Sequence, residues 1–322
     1  MKVLVTGGRG FIGRYILRQL HELGIEVIAI RRPGVSGNQE YNASNIKWLD
    51  CSLEDVDTLR LIFAQTRPDV CLHLAWVTKS GEYPSSLDNI NLLNSSLALI
   101  RVAGEKGCAR FVGVGTCAEY EQTVGPLHEQ SRTHPHTLYG ASKLALRYMG
   151  ENLAEQYGVQ FAWGRVFYVY GPHENRKRVV PAVINTLLDG EVFQASSGEQ
   201  IRDYMHVQDV ASAFVKICMS QEEGVFNVSS AEPNSLRQLL VTIGDLLQGS
   251  DSIRFGANKK SAFDPPYILG ENTRLRSLGW EQQLSLEEGL AQTIQWWRDE
   301  RHRGTLSQEC HRDNSQCKKK SA

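Results

Sequence analysis

Nowhere in these 322 residues is there a run of about 18 apolar residues, the length a membrane-spanning helix needs. Neither sign of charge prevails: 35 Lys and Arg stand against 36 Asp and Glu, a net charge of −1. Without a basic excess, neither nucleic acid nor an anionic membrane surface is expected as a partner. Cysteine is too sparse and irregular for a disulfide framework: seven residues, an odd number, which suits a reducing cytoplasm. No metal is expected either, because Cys310, His311 and Cys317 match no ligand spacing. There is no internal repeat. The N-terminus already reads as the first strand, so no signal peptide is expected. What the chain does have is 41% hydrophobic residues, and a chain of this size buries about three quarters of its unfolded surface. One large or two modest domains follow.

Strand-like and helical patterns alternate. The spacing predicts strands over Val3–Thr6, Glu26–Ile30, Ile46–Leu49, Asp69–Leu74, Arg110–Gly115 and Gln160–Phe167. Helices are predicted between them over Ile12–Leu23, Leu53–Thr66, Leu87–Lys106 and Tyr139–Tyr157. Such alternation implies a parallel sheet wound on both faces, with Val70–Leu74 and Phe111–Val114 as central strands. After about residue 170 prolines punctuate shorter elements, with helices expected over Val179–Leu188, Val207–Met219, Leu236–Leu247 and Leu286–Arg298. The predicted division is therefore 1–168, a nucleotide-binding α/β domain; 169–299, a smaller region partly interleaved with it; and 300–322, a polar, disordered tail.

Two local patterns carry chemistry. Lys2-Val3-Leu4-Val5-Thr6-Gly7-Gly8-Arg9-Gly10-Phe11-Ile12-Gly13 is a strand, a glycine turn and a helix start. Gly7 allows the tight turn, Gly10 the close approach of a pyrophosphate and Gly13 close helix–strand packing. The pyrophosphate would rest on the helix N-terminus. In the second, Tyr139 and Lys143 stand four apart and share a helix face. An ammonium there can lower the phenol's pKa toward working pH and make Tyr139 a general acid or base. Thr116, at the C-terminal end of a central strand, can hydrogen-bond a substrate oxygen beside it.

These residues resemble the extended short-chain dehydrogenase/reductases that act on nucleotide sugars, over nearly the whole chain. The resemblance includes the glycine turn, His73-Leu74-Ala75-Trp76, Thr116 with Tyr120, Tyr139 with Lys143, and Tyr170-Gly171-Pro172. It continues through Arg202-Asp203-Tyr204-Met205-His206-Val207 with Asp209, and Leu278-Gly279-Trp280 with Leu286. It implies a Rossmann doubly wound sheet with a smaller α/β substrate region, and Thr116, Tyr139 and Lys143 as catalytic triad. Gly7, Gly10, Phe11, Ile12, Gly13, Asp50, Cys51, Leu74, Ala75, Trp76, Tyr139, Lys143 and Tyr168 would hold the dinucleotide. Thr116, Cys117, Tyr168, His173 and Arg202 would hold the sugar nucleotide, with Arg202 on the diphosphate; a structural ion pair of Arg202 with Asp203 is the alternative. The resemblance also implies a homodimer joined through the helices near Leu87–Lys106 and Tyr139–Tyr157.

Departures narrow the reaction. Strand two ends in Ile30-Arg31-Arg32, where NAD users of the family carry an acid; arginines suit the 2′-phosphate of NADP, with NAD the alternative. The 4,6-dehydratases place Asp-Glu after the strand-five threonine, whereas here Cys117-Ala118 follows Thr116 and Glu119 lies one place late. Tyr168 replaces a family asparagine, and neither Asn91 nor Asn94 falls on another. The pattern resembles 4-ketoreductases of deoxysugar synthesis such as the CDP-abequose synthases. NADPH-dependent reduction of a nucleotide-linked 4-keto-6-deoxyhexose is the implied reaction. Two alternatives stay open: a C4 or C3/C5 epimerase that retains NAD, the latter using Cys117 and His173, and a non-catalytic dinucleotide sensor.

Overall fold

The structure, a computed structural model, describes residues 1–34, 41–79, 81–258 and 264–319, with side chains to residue 303. The elements in chain order are β1 (Lys2–Thr6), α1 (Phe11–Glu22), β2 (Glu26–Arg31), β3 (Ile46–Asp50), α2 (Val56–Thr66), β4 (Val70–His73), α3 (Asp88–Glu105) and β5 (Arg110–Thr116). There follow α4 (Leu138–Gln156), β6 (Gln160–Val166), β7 (Tyr168–Tyr170), α5 (Val179–Leu188), β8 (Phe193–Gln194), β9 (Ile201–Arg202), β10 (Tyr204–His206), α6 (Val207–Met219) and β11 (Gly224–Val228). The last are β12 (Asn234–Ser235), α7 (Leu236–Leu247), β13 (Ile253–Arg254), α8 (Thr273–Ser277) and α9 (Leu286–Lys319). No described helix is long and apolar enough to cross a membrane.

The chain forms two compact units. The first comprises Met1–Val169, Gln200–Asn234 and Pro265–Gln283; the second comprises Tyr170–Glu199, Ser235–Asp264 and Leu284–Ala322. The stretch 169–299 is thus shared between them. The tail expected over 300–322, with Cys310, His311 and Cys317, lies almost wholly beyond the described side chains.

The first unit is built on a parallel sheet of seven strands in the order β11-β6-β5-β4-β1-β2-β3. Side chains alternate between its faces, and both faces are apolar. Val3, Val5, Val27, Ala29 and Leu72 point to the α1 and α6 side, where they meet Ile16, Leu17, Leu20 and Phe214. Leu4, Ile28, Ile30, Cys71 and Phe111 point the other way, onto Phe63, Leu99, Ile100 and Leu146 of α2, α3 and α4. This is the doubly wound sheet the alternation of patterns predicts. Its seventh strand, β11, was not expected. Five residues, Gly-Val-Phe-Asn-Val, give too short an apolar signal, and their partner β6 is far away in sequence.

The boundary of α2 differs from the expected Leu53 for a local reason. Asp55 Oδ1 accepts from the Thr58 N–H at 3.0 Å, which makes Asp55 the N-cap. In the second unit α5, α7 and α9 pack together, and β8 pairs in parallel with β13.

Candidate active site

The strand order reverses between β4 and β1. A crevice at the carboxyl ends of strands on either side of such a switch point is where doubly wound sheets bind ligands. Thr6 is in register with both Ile30 of β2 and His73 of β4, so three strand ends meet there. A chain of hydrogen bonds ties them. The Ala75 N–H donates to Thr6 Oγ1 (3.3 Å), Thr6 Oγ1 contacts His73 Nδ1 (2.7 Å) and His73 Nε2 contacts Ser96 Oγ (2.8 Å). The Ser96 hydroxyl donates to the Leu92 carbonyl, so His73 Nε2 carries the proton and Nδ1 accepts from Thr6. Burial, aided slightly by the Lys143 charge, pushes the His73 pKa down to about 3, which keeps this relay neutral.

The glycine turn leaves no room for side chains. Gly7 has φ +74°, and a Cβ there would stand 2.7 Å from the Ala75 nitrogen. A Cβ on Gly13 would stand 2.2 Å from the Gly7 carbonyl oxygen. Helix α1 begins at Phe11 and Ile12, its first amides uncapped by any side chain. Such a cradle fits a pyrophosphate.

Arg31 does not stand open beside it. It is the register partner of Asp50, and its Nε donates to Asp50 Oδ1 at 2.7 Å. That hydrogen bond holds the exposed Asp50 carboxyl below the usual range. Two residues expected to touch the dinucleotide separately therefore bind each other, while Arg32 beside them is exposed. Cys51 is buried, and burial raises its thiol to about 11.

Thr116, Tyr139 and Lys143 come together. The Thr116 hydroxyl accepts from the Ala118 N–H at 3.2 Å and stands beside the Tyr139 phenol. Lys143 is buried, and its Nζ donates to the Val114 carbonyl at 2.8 Å. The expectation that the ammonium would lower the phenol's pKa is reversed here. Burial raises Tyr139 above its ordinary value and pulls Lys143 down to about 7. The phenol is kept as a proton donor.

Tyr83, Pro84 and Asn89 around the pair carry no sequence signal, whereas Trp76 is one of the expected dinucleotide residues. The Tyr83 ring meets Tyr139 edge-on, with centroids 4.9 Å apart, and the Tyr139 N–H donates to the Pro84 carbonyl. Lys143 Nζ lies 3.8 Å from the centroid of the Trp76 ring. Trp76 Nε1 in turn donates to Asn89 Oδ1 at 2.9 Å. Asn89, rather than Asn91 or Asn94, is the α3 asparagine next to this cluster.

Glu119 is turned into the core. Its carboxylate accepts from the Thr116 N–H (2.9 Å), Trp163 Nε1 (3.0 Å) and Arg165 Nε (2.7 Å), and it is fully buried. Cys117 Sγ is not activated, because burial raises the thiol to about 12. Arg202 is buried, stands 5.3 Å over the Tyr168 ring and donates to the Ile201 and Pro265 carbonyls. The Asp203 carboxylate accepts instead from Ser230, Ala231 and Gly270. His173 belongs to the second unit. It has φ +71°, and its ring lies 4.5 Å from that of Trp296. All the other expected site residues lie in the first unit.

Residues 3–229 match the model of the NAD dependent epimerase/dehydratase family. The chain belongs to this family. It is 27% identical over 306 residues to the CDP-abequose synthase of Salmonella typhimurium (strain LT2), covering 91% of this chain and 97% of that one. It is 24% identical over 335 residues to dTDP-glucose 4,6-dehydratase 1 of Escherichia coli (strain K12), covering 92% of each. The structure of the UDP-glucose 4-epimerase of Thermotoga maritima with UDP-glucose superposes with a TM-score of 0.83 at 27% identity, covering 93% of this chain and 99% of that one. The family member described here is an oxidoreductase-type enzyme of the extended short-chain dehydrogenase/reductase class, on a Rossmann sheet. The glycine turn a Cβ would fill, with uncapped α1 amides behind it, fits the dinucleotide the family name implies.

Proposed function

We propose that this enzyme reduces the ketone of a nucleotide-linked 4-keto-6-deoxyhexose with NADPH. The observation that carries the reading is the half-buried Tyr139 phenol, raised above its ordinary pKa beside Thr116, with the Glu119 carboxylate turned into the core. Glu119, the nearest carboxylate in sequence, is committed to Arg165 and Trp163. That composition suits protonation of a carbonyl oxygen and does not suit loss of water. The similarity to a CDP-abequose synthase supports the same reading.

Gly7, Gly10, Phe11, Ile12 and Gly13 would hold the pyrophosphate, with Leu74, Ala75 and Trp76 across the switch point. Asp50, Cys51 and Tyr168 complete the proposed dinucleotide contacts. Arg31 and Arg32 replace the acid of NAD users, and the Arg31–Asp50 pair leaves Arg32 as the more available cation for a 2′-phosphate. When bound, the dinucleotide supplies hydride to the ketone carbon. Thr116 holds the ketone oxygen, Tyr139 gives it a proton, and Lys143 binds the nicotinamide ribose. Arg202, Tyr168 and Cys117 are the proposed sugar-nucleotide contacts within the first unit. Epimerisation through a Cys117–His173 pair gains no support from a thiol raised to about 12. A cytoplasmic location agrees with Cys51, Cys71, Cys108, Cys117 and Cys218 all being free thiols.

Incubated with a CDP- or dTDP-linked 4-keto-6-deoxyhexose, the protein should oxidise NADPH faster than NADH. Tyr139→Phe should lose about 10²- to 10⁴-fold in kcat, the usual value of a positioned proton donor. Full activity in Tyr139→Phe would overturn the mechanism. Tightly retained NAD with no net NADPH consumption would point to an epimerase.

A further inference from the structure

We infer that Trp76, locked by Asn89, is a positioning residue that holds the Lys143 ammonium beside Tyr139 through a cation–π contact. The inference rests on the proposed role of Lys143 in the reductase site.

The geometry begins at Asn89, which is 1% exposed on the first turn of α3. Its Nδ2 donates to the carbonyls of Tyr83 and Ser86, both at 2.8 Å. Its Oδ1 is left for one donor, and Trp76 Nε1 takes it. A tryptophan bonded through its N–H cannot turn about its long axis, so the face it offers is fixed. Lys143 Nζ stands 3.8 Å from that ring's centroid, well inside the range of a cation–π contact. The edge of the same indole approaches Tyr139, with centroids 6.4 Å apart and planes at 71°. One side chain thus touches both members of the proton-handling pair.

The contact answers a physical problem. Lys143 is 3% exposed, and one backbone carbonyl, Val114, accepts from its ammonium. Burial disfavours the charged form, while the ring quadrupole favours it without introducing a second titrating group. Among the described residues, the charged or titratable groups beside it are Glu119, His73 and Tyr139. Glu119 opposes the effect of burial on Lys143 and is neutralised by Arg165, whereas His73 is neutral. A leucine at position 76 would leave the ammonium with Val114 and no aromatic face.

A double-mutant cycle on the full chain isolates the contact. Unfolding of wild type, Trp76→Leu, Lys143→Met and the double variant is followed in denaturant at pH 6 and at pH 10. Glu119, His73 and Tyr139 are present in all four proteins and cancel. The folded pKa of Lys143, about 7, lies below its ordinary 10.5. The unfolded chain therefore holds the extra proton between these values. Wild-type stability should rise with pH through that window, and Lys143→Met should lack the rise. Removing the indole should start the rise at lower pH.

Coupling between positions 76 and 143 should be about tenfold in the unfolding constant at pH 6, where the lysine is charged, and less than about twofold at pH 10. Trp76→Phe, which keeps a smaller face, should give an intermediate value and replaces the leucine variant if that one fails to fold. In NADPH-dependent ketone reduction, the pH midpoint of kcat should move down in Trp76→Leu while KM for the sugar nucleotide changes less than twofold. Equal coupling at both pH values would show packing alone and overturn the inference, as would no coupling. A wild type that consumes no NADPH would sink the reductase reading and leave the cycle intact.

Discussion

The Glu119 side chain is the carboxylate that follows Thr116 in sequence, and three donors hold it in the core. Arg165 Nε reaches it at 2.7 Å and Trp163 Nε1 at 3.0 Å, and it anchors the Thr116 N–H. Gly115 makes room, because a Cβ there would stand 2.4 Å from Glu119 Oε1. Both ends of the ion pair are buried, so removing one charge strands the other. Glu119→Gln should turn an amide donor toward the Arg165 guanidinium and cost about 3–5 kcal/mol of stability. Chemical denaturation checks this, and a loss below about 1 kcal/mol would show that the pair is not needed. Lys143 and Tyr139 make the complementary point. Burial shifts both pKa values, and a helical spacing of four residues could not reveal the direction.

At the level of elements, the glycine turn couples three strand ends to α1. Thr6 joins β1 to β4 through His73, and Gly13 lets α1 sit on the Gly7–Gly8 backbone. Gly13→Ala would drive a Cβ to 2.2 Å from the Gly7 carbonyl oxygen, a backbone atom that cannot swing aside. The helix must move, and with it the amides that face the pyrophosphate. A ligand at 100 times its Kd stabilises by about 2.7 kcal/mol, and most of that shift should vanish when the variant is melted with saturating NADP. An unchanged shift would mean that the turn does not hold the dinucleotide. This turn was legible in the sequence because its signal is local, as was the Tyr139–Lys143 pair. What escaped depends on register and tertiary packing. Arg31 meets Asp50 only because β2 and β3 pair in register across 19 residues. Glu119 meets Arg165 across 46 residues, and β11 declares itself only by pairing with β6. Asn91 and Asn94, two and five residues beyond Asn89, are exposed while Asn89 is buried, and only the helical phase fixed by packing decides which of them faces the core.

For the whole molecule, the open matter is what covers α3 and α4. These helices pack side by side in the first unit and bury their inner faces on the sheet. Their outer faces keep apolar residues in water: Ile90 is 45% exposed on α3, Tyr148 47% and Met149 52% on α4, and Leu87 just ahead of α3 is 74% exposed. Single exposed apolar residues are ordinary, but four on or beside one pair of helices make this surface a candidate for association. We propose that a second copy covers it, each chain giving two helices to a four-helix interface. The same surface then meets itself about a two-fold axis, as in most homodimers. Thr116, Tyr139 and Lys143 come from one chain, so association supports the fold rather than completing the triad. Light scattering should give twice the 36.1 kDa of one chain. Met149→Glu would place two carboxylates near the axis and should yield a folded monomer that still binds NADP. A wild type that runs as a monomer at micromolar concentration would rule the interface out.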